Sequence, residues 1–252
     1  MPTLRVVGIG TGNPEHLTLQ AVAALADVDA VFVLDKGADK DALVALRRGI
    51  CAAHIRKPYR LVAAADPPRD RRPSDYAGAV EAWHAARADL LGGLIRANLG
   101  AGEIGAFLVW GDPALYDSTL RILDRILARD PAAFAYTVIP GISSVQVLAA
   151  AHRIPLNRIG GPVHITTGRA IAGGLPPGAG STVVMLDADP SFDNLDPELT
   201  IHWGAYLGSP DELLVTGRLG TVGPEIRRLR AEARARHGWI MDVYLLRRPE
   251  DA

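Results

Sequence analysis

Residues 4–18 read LRVVGIGTGNPEHLT, a short apolar run that leads into three closely spaced glycines and then into a Leu-Thr pair. The apolar run predicts a buried β-strand, and Thr18 is a suitable cap for a helix that begins directly after it. Glycine allows the tight turn that must join the two elements. The stretch therefore predicts the opening strand, turn and helix of an α/β fold with a parallel sheet.

Apolar runs and helical spacings continue along the chain. Strands are predicted at 4–9, 30–34, 105–110, 136–139, 163–167, 182–186, 199–206 and 240–246, and helices at 18–25, 39–53, 74–98, 118–129, 142–151 and 221–237. A Pro-, Arg- and Asp-rich segment, 64–75, predicts a polar loop. Because the first half alternates strand and helix, it predicts a mostly parallel sheet with helices on both faces, and the strand-rich second half predicts a mixed sheet. We expect two lobes, 1–115 and 132–252, joined by a linking region, 116–131, with a cleft between them.

Composition limits the classes of protein that fit. The chain has 252 residues, 48% of them hydrophobic, so a large core can form without disulfides. Cys51 is the single cysteine, which excludes an internal disulfide framework and favours a reducing cytoplasm. No basic segment followed by an apolar one opens the chain, so we expect no signal peptide. The most apolar early stretch, 21–34, contains two aspartates and is too short to span a membrane.

Charge gives no sign of nucleic acid as a partner. The net charge is −1, and the seven histidines are scattered without ligand spacing, so we expect neither nucleic-acid binding nor a metal site. The type of cation is more informative, because 24 of the 27 basic residues are arginine. Two interpretations stay open: a genome-wide composition bias, or arginines that pair with carboxylates through the guanidinium fork.

The first glycine turn also invites comparison with dinucleotide-binding proteins. Their fingerprint needs glycine at its first, third and sixth positions, and here the sixth position is Asn13, followed by Pro14. Asp35, at the end of the second predicted strand, is placed where an acid would bind a ribose, so this alternative stays open. A plain tight turn is the other interpretation.

Two further turns follow buried strands. Residues 109–119 read VWGDPALYDST, and residues 139–144 read IPGISS. A glycine at the carboxyl end of a strand lets a ligand approach the backbone, and ligands of open α/β sheets bind at that edge. Ser143 and Ser144 either cap the next helix or donate hydrogen bonds to a ligand.

In order and spacing these turns resemble those of the tetrapyrrole methylases. That family shares a glycine-rich first loop running into a Leu-Thr helix start, a Gly-Asp-Pro loop and a Pro-Gly-Ile-Ser turn. Met185, at a strand end, and the later segments 209–212 (SPDE) and 216–219 (TGRL) also match, so the resemblance covers essentially the whole chain. The first loop departs from it, since residues 10–13 read GTGN where the family usually has Gly-Pro-Gly-Asp.

The resemblance implies two α/β lobes, S-adenosylmethionine as cofactor, no metal, and a homodimer. Carried over by position, it implies cofactor contacts at Thr11, Gly111, Asp112, Pro113, Tyr116, Ser143, Ser144, Met185 and Leu207. Several stretches look like one subgroup of the family, which methylates C1 of precorrin-5 and releases acetate: 8–16, 33–37, 110–121, 166–169, 203–208 and 238–242. Asn13 belongs to the pattern of that subgroup.

The implied reaction sets what the site must supply. Methyl transfer from a sulfonium needs mainly positioning, and neither a metal nor a covalent nucleophile is required. Loss of acetate needs a base for the attacking water and a donor for the developing oxyanion. Asp117 and Asp35 are the first candidates for the base, ahead of Asp187 and Asp242. Tyr116 or Tyr206 is a candidate donor.

A macrocycle with many acidic side chains should require several arginines. We expect Arg121, Arg169 and the loop group Arg69, Arg71 and Arg72 to bind it. Solvated helix faces are the expectation for Arg47, Arg48, Arg227, Arg228, Arg230 and Arg234. Trp110, Trp203 and Trp239 either line the pocket or pack in the core. Rival functions are another corrin-ring methyltransferase, an RNA or protein methylase, a nicotinamide-dependent enzyme and a non-catalytic nucleotide-binding module.

Overall fold

The structure is a computed structural model that describes residues 1–35, 41–68 and 75–249, with the backbone alone for 41–43. The chain divides into two compact units, Met1–Ile142 and Ser143–Ala252. In the described part of the chain, no helix has both the length and the apolar character needed to cross a membrane.

The first unit is a five-stranded parallel sheet with the strand order β3-β2-β4-β1-β5. Its elements are β1 (Thr3–Gly8), α1 (Leu19–Leu25), β2 (Ala30–Asp35), α2 (Asp41–His54), β3 (Arg60–Ala65), α3 (Tyr76–Asn98), β4 (Ile104–Val109), α4 (Thr119–Arg129) and β5 (Ala135–Ile139). Thr18 caps α1 as expected, accepting a hydrogen bond from the Ala21 N–H at 3.0 Å.

Helices cover both faces of this sheet. Buried residues of α1 and α2 pack with Val7, Val31 and Leu108 on one face. Buried residues of α3 and α4 pack with Val6 and Phe107 on the other. The strands are therefore apolar on both sides, which is why they read in the sequence as continuous apolar runs.

The second unit is a mixed sheet with the order β6-β7-β10-β8-β9. Its elements are α5 (Ser144–His152), β6 (Val163–Thr167), α6 (Gly168–Ile171), β7 (Ser181–Met185), β8 (Thr200–Ala205), β9 (Leu213–Arg218), α7 (Leu219–His237) and β10 (Asp242–Arg247). In this sheet β6 and β7 run parallel, β10 lies antiparallel to β7 and β8, and β9 lies antiparallel to β8. A parallel sheet followed by a mixed sheet is the predicted α/β architecture, and that prediction is confirmed.

The structure differs from the sequence expectations at two edge strands and at the expected linking region. Residues 60–65 form β3 and residues 213–218 form β9, and neither of these edge strands is among the predicted strands. The expected linking region, 116–131, lies inside the first unit, because α4 packs on α3 and β5 pairs with β1. The boundary between the units follows Ile142, directly before α5.

Candidate functional site

The first two glycine turns are joined at the carboxyl edge of the first sheet. Gly10 and Gly111 form an isolated antiparallel bridge, in which the Gly111 N–H donates to the Gly10 carbonyl at 2.8 Å. Both glycines have positive φ, 73° and 61°, a conformation that disfavours other residues. The loops after β1 and β4 are thus held together by backbone atoms.

The third turn packs directly against this bridge. A Cβ placed on Gly141 would lie 2.1 Å from the carbonyl oxygen of Gly111 and 2.8 Å from the Cα of Gly8, so no side chain fits there. Asp112 fastens the contact: its Oδ2 accepts from the Gly141 N–H at 2.9 Å, and its Oδ1 accepts from the Ala114 N–H at 2.8 Å. A carboxylate with two backbone donors is a strong tether, and it orders the Gly-Asp-Pro loop.

Three polar side chains lie beside these turns. The Thr11 hydroxyl is hydrogen-bonded to the Nδ1 of His16 at 3.1 Å. Tyr116 is 43% exposed and has a positive φ of 53°, and burial of part of its ring raises the pKa of its phenol. Asp117 accepts from the Thr119 N–H through Oδ1 at 2.7 Å. This edge of the sheet therefore combines glycine backbone with the carboxylate of Asp117 and the phenol of Tyr116.

In the second unit, β7 ends in an unusual backbone turn. Met185 is half-buried, and the next residue, Leu186, has a φ of 54° with its side chain 65% exposed. Asp187 fixes this turn, because its buried carboxylate accepts from the Ser191 N–H, the Ser191 hydroxyl and the Tyr244 hydroxyl at 2.9, 2.7 and 2.6 Å. A non-glycine residue at positive φ is strained, so such an anchor is needed.

A second buried acid lies one strand away. Asp242 forms an ion pair with Arg230, and the indole N–H of Trp203 donates to it at 2.8 Å. Arg230 is 5% exposed and also donates to the carbonyl of Asp187 at 2.6 Å. Burial raises the pKa of the Asp242 carboxyl, while Arg230 and the indole N–H act in the opposite direction. The carboxylates of Asp187 and Asp242 thus both accept hydrogen bonds from side chains inside this unit.

Comparison with known proteins shows which family has this sequence, in a match that includes all three turns. The model of the tetrapyrrole (corrin/porphyrin) methylases matches residues 3–223. The chain belongs to the tetrapyrrole methylase family. It is 50% identical, over 253 aligned residues, to a precorrin-6A synthase (deacetylating) from Sinorhizobium sp., covering 100% of this chain and 97% of the relative.

Two solved structures have the same fold as this chain. A cobalamin synthesis related protein (CobF) from Corynebacterium diphtheriae is 40% identical, with a TM-score of 0.83 over 98% of each chain. The uroporphyrin-III C-methyltransferase of Thermus thermophilus, solved with S-adenyl homocysteine (S-adenosylhomocysteine), is 20% identical, with a TM-score of 0.60 over 97% of this chain and 96% of that one. At 20% identity that likeness shows the methylase fold alone.

The predicted cofactor residues fall into two groups, one in each unit. Thr11, Gly111, Asp112, Pro113 and Tyr116 lie in the connected loops after β1 and β4 of the first unit. In the second unit, Ser143 caps α5 in a capping box with Gln146, Ser144 begins that helix, Met185 ends β7, and Leu207 is buried just after β8. Ser143 thus caps a helix, which is one of its two predicted roles. The contacts of all these residues with a cofactor stay predictions.

The four candidate aspartates differ in how far they are exposed to solvent. Asp35 ends β2 and is exposed, and Asp117 is half-buried, so both stay candidates. Asp187 is buried, the side chain of Asp242 is 4% exposed, and both carboxylates accept hydrogen bonds from internal donors. The Tyr206 hydroxyl donates to the carbonyl of Trp239, and Tyr116 stays the other candidate donor.

The arginine expectations need two corrections. Arg121 and Arg169 are exposed, on α4 and α6, whereas Arg69, Arg71 and Arg72 lie outside the described residues. Solvation was wrongly expected for Arg230, which is buried, and for Arg47, which is half-buried and stacks on Trp110. Of the tryptophans, Trp203 is fully buried in the core, Trp239 packs against that core, and Trp110 is only partly buried.

Proposed function

We propose that this protein is an S-adenosylmethionine-dependent methyltransferase that methylates C1 of precorrin-5 and releases acetate, giving precorrin-6A. The observation that carries the proposal is the 50% identity to a deacetylating precorrin-6A synthase along the whole chain. The subgroup stretches singled out in the sequence support it, among them the first turn with Asn13. Membership of a methylase family supports the reaction type.

The joined turns of the first unit suit a cofactor held largely by backbone. S-adenosylmethionine supplies a methyl group that is already activated on a sulfonium, so the protein has to bind and orient it. Glycines at the ends of β1 and β4 let a ligand approach the main chain. Thr11, Gly111 and Asp112 are half-buried there, and the proposed contacts in the second unit are Ser143, Ser144, Met185 and Leu207.

A ligand-dependent thermal shift tests the cofactor. We expect S-adenosylhomocysteine to raise the melting temperature of the protein, because a ligand that binds only the folded state stabilises it in proportion to RT ln(1 + [L]/Kd). NAD at the same concentration should leave the melting temperature unchanged. A shift with NAD and none with S-adenosylhomocysteine would instead support the nicotinamide alternative.

Loss of acetate is proposed to use Asp117 as the base. Its Oδ1 accepts the Thr119 N–H, and no hydrogen bond to its other oxygen occurs within the ranges that the structure describes. That oxygen is proposed to take the proton of the water that attacks the acyl carbon. The bond from the acyl carbon to the ring then breaks and releases acetate, and its electron pair stays on the ring carbon, which bonds to the transferred methyl group. Tyr116, the neighbouring residue, is proposed to donate to the developing oxyanion, and Asp35 is the alternative base.

Asp117→Asn tests this role, since asparagine keeps the hydrogen bond to Thr119 but does not take up a proton. We expect acetate release to fall by about 100-fold or more, the usual contribution of a positioned base, while the affinity for S-adenosylhomocysteine stays within about twofold of the wild type. Asp130→Asn is the matched control, because Asp130 accepts from the Ala132 N–H two residues ahead at 3.2 Å. Equal rates of acetate release in the two variants would rule out Asp117 as the base.

The proposal also covers the residues that bind the substrate, the oligomeric state and the cellular compartment. The macrocycle is proposed to be held by Arg121, Arg169, Arg69 and Arg71, without nucleic acid, membrane or metal as partners. A homodimer in the cytoplasm is proposed from the family resemblance. The single, buried Cys51 suits a reducing compartment, and burial raises the pKa of its thiol to about 11. Light scattering of the purified protein tests the dimer.

A further inference from the structure

The carboxyl edge of the first sheet opens between β2 and β4. These strands pair from Ala30↔Gly105 to Phe32↔Phe107 and no further, whereas β1 and β4 stay paired to Gly8↔Val109. The chain leaves β2 toward one edge of the sheet and leaves β4 toward the other, and the helices that follow lie on opposite faces. Such a reversal of direction makes the crevice where open α/β sheets bind ligands.

Arg47 of α2 places its guanidinium in this opening. The Val109 carbonyl accepts from the Ile9 N–H on the β1 side, so the preceding carbonyl, that of Leu108, faces β2, where the pairing has ended. The Nε of Arg47 donates to the Leu108 carbonyl at 3.2 Å. The Arg47 side chain therefore donates to Leu108 at the position where the next main-chain hydrogen bond between β2 and β4 would lie.

Trp110 fixes the guanidinium from one face. The Cζ of Arg47 lies 5.1 Å from the centroid of the indole ring, within the range of a cation–π contact. Stacking on an aromatic ring together with the Nε bond restricts the orientation of the fork before any ligand arrives. The Trp110 N–H is itself buried and has no hydrogen-bond partner among the described residues.

Among the described residues, the outer nitrogens of Arg47 form no hydrogen bond and no ion pair. Throughout the described ranges, no carboxylate lies within ion-pair distance of them, although the field of Asp117 reaches the group. Burial lowers the pKa of the guanidinium, and the negative charge of Asp117 opposes that effect. A desolvated cation without a carboxylate partner is costly unless an anion binds to it in function.

We propose that Arg47, stacked on Trp110, binds an acidic side chain of the tetrapyrrole substrate in the opening between β2 and β4. A carboxylate matches the planar fork of a guanidinium in two parallel hydrogen bonds. The inference rests on the proposed function for its ligand, since the macrocycle carries several carboxylates. The methionine carboxylate of S-adenosylmethionine has the same chemistry and is the competing source.

Steady-state kinetics and binding of Arg47→Gln separate the two sources. We expect KM for precorrin-5 to rise roughly 10- to 100-fold, the size of one charge-assisted pair, with kcat within about threefold of the wild type. The Kd for S-adenosylhomocysteine, which carries the methionine carboxylate, should stay within about twofold. Arg47→Lys keeps a charge without the fork, so its KM should lie between those of the wild type and Arg47→Gln. Arg48→Gln, an exposed neighbour on the same helix, is the matched control and should behave as wild type.

The outcomes distinguish this inference from the proposed function. If the wild type converts precorrin-5 and Arg47→Gln has an unchanged KM, the subsite is wrong and the function stands. A loss of affinity for S-adenosylhomocysteine with an unchanged KM for precorrin-5 overturns it in favour of the cofactor carboxylate. If the wild type does not convert precorrin-5, the function fails, and equilibrium dialysis with cobyrinic acid, a corrin with free carboxylates, decides the subsite: binding that Arg47→Gln weakens supports it, and binding unaffected or absent overturns it.

Discussion

Replacing Gly141 by alanine is expected to disrupt the junction of the three turns. The added Cβ would lie 2.1 Å from the Gly111 carbonyl oxygen and 2.8 Å from the Cα of Gly8, and both are backbone atoms that have no rotamer to change. Overpacking of this kind typically costs about 1–3 kcal/mol and sometimes more. Relief by moving the turn would also stretch the hydrogen bond from the Gly141 N–H to Asp112. We therefore expect a free energy of unfolding lower by about 3 kcal/mol.

The same substitution should weaken cofactor binding, because the junction orders the loop that carries Gly111 and Asp112. We expect the Kd for S-adenosylhomocysteine to rise by roughly tenfold or more. Gly93→Ala is the control: it lies within α3, its Cβ would meet no atom within 4 Å, and alanine there should stabilise the protein by about 0.5–1 kcal/mol. Wild-type stability and affinity in Gly141→Ala would show that the junction is not needed.

The second large effect is expected from Asp242→Ala. This change leaves Arg230 buried with no carboxylate partner and removes the acceptor of the Trp203 indole N–H. Breaking a buried ion pair by deleting one partner typically costs about 3–5 kcal/mol, mainly because the remaining charge is uncompensated. Chemical denaturation should therefore show a loss of that size in the free energy of unfolding.

Two further variants separate charge from packing. Adding Arg230→Met to Asp242→Ala removes the unpaired charge, so the double variant should be more stable than Asp242→Ala alone. Arg228→Ala breaks an exposed pair with Glu232 at 2.9 Å and should cost no more than about 0.5 kcal/mol. A loss in Asp242→Ala no larger than in Arg228→Ala would contradict a structural role for the buried pair.

The sequence predicted the architecture well because the buried strands are nearly all apolar. It missed β3 and β9. Residues 60–65 of β3 read RLVAAA, in which alanine favours helices, and this strand lacks the run of valine and phenylalanine that marks β2. The division between lobes was placed too early because α4 is amphipathic and looks like a connecting helix. Its apolar side, with Ile122, Leu123 and Ile126, is buried in the first unit.

The turns of the candidate site were found from sequence, but the partners of its charged side chains were not. Arg230 was expected in solvent, although it shares the helical spacing of Ile226 and Ala233, which are buried on the same face of α7. Arg47 likewise lies three and four residues before Ile50 and Cys51. An arginine on a buried stripe was therefore a usable signal. That Asp112 ties two loops together depends on long-range geometry, which spacing alone does not reveal.

Incubation of the protein with precorrin-5 and S-adenosylmethionine labelled in its methyl group tests the central claim most directly. The proposed function predicts one labelled methyl group on C1 of the tetrapyrrole product for each molecule of acetate released, with S-adenosylhomocysteine formed in the same amount. Mass spectrometry of the product and an assay of free acetate measure both. A methylated product that keeps its two-carbon unit, or no transfer to precorrin-5 at all, would contradict it.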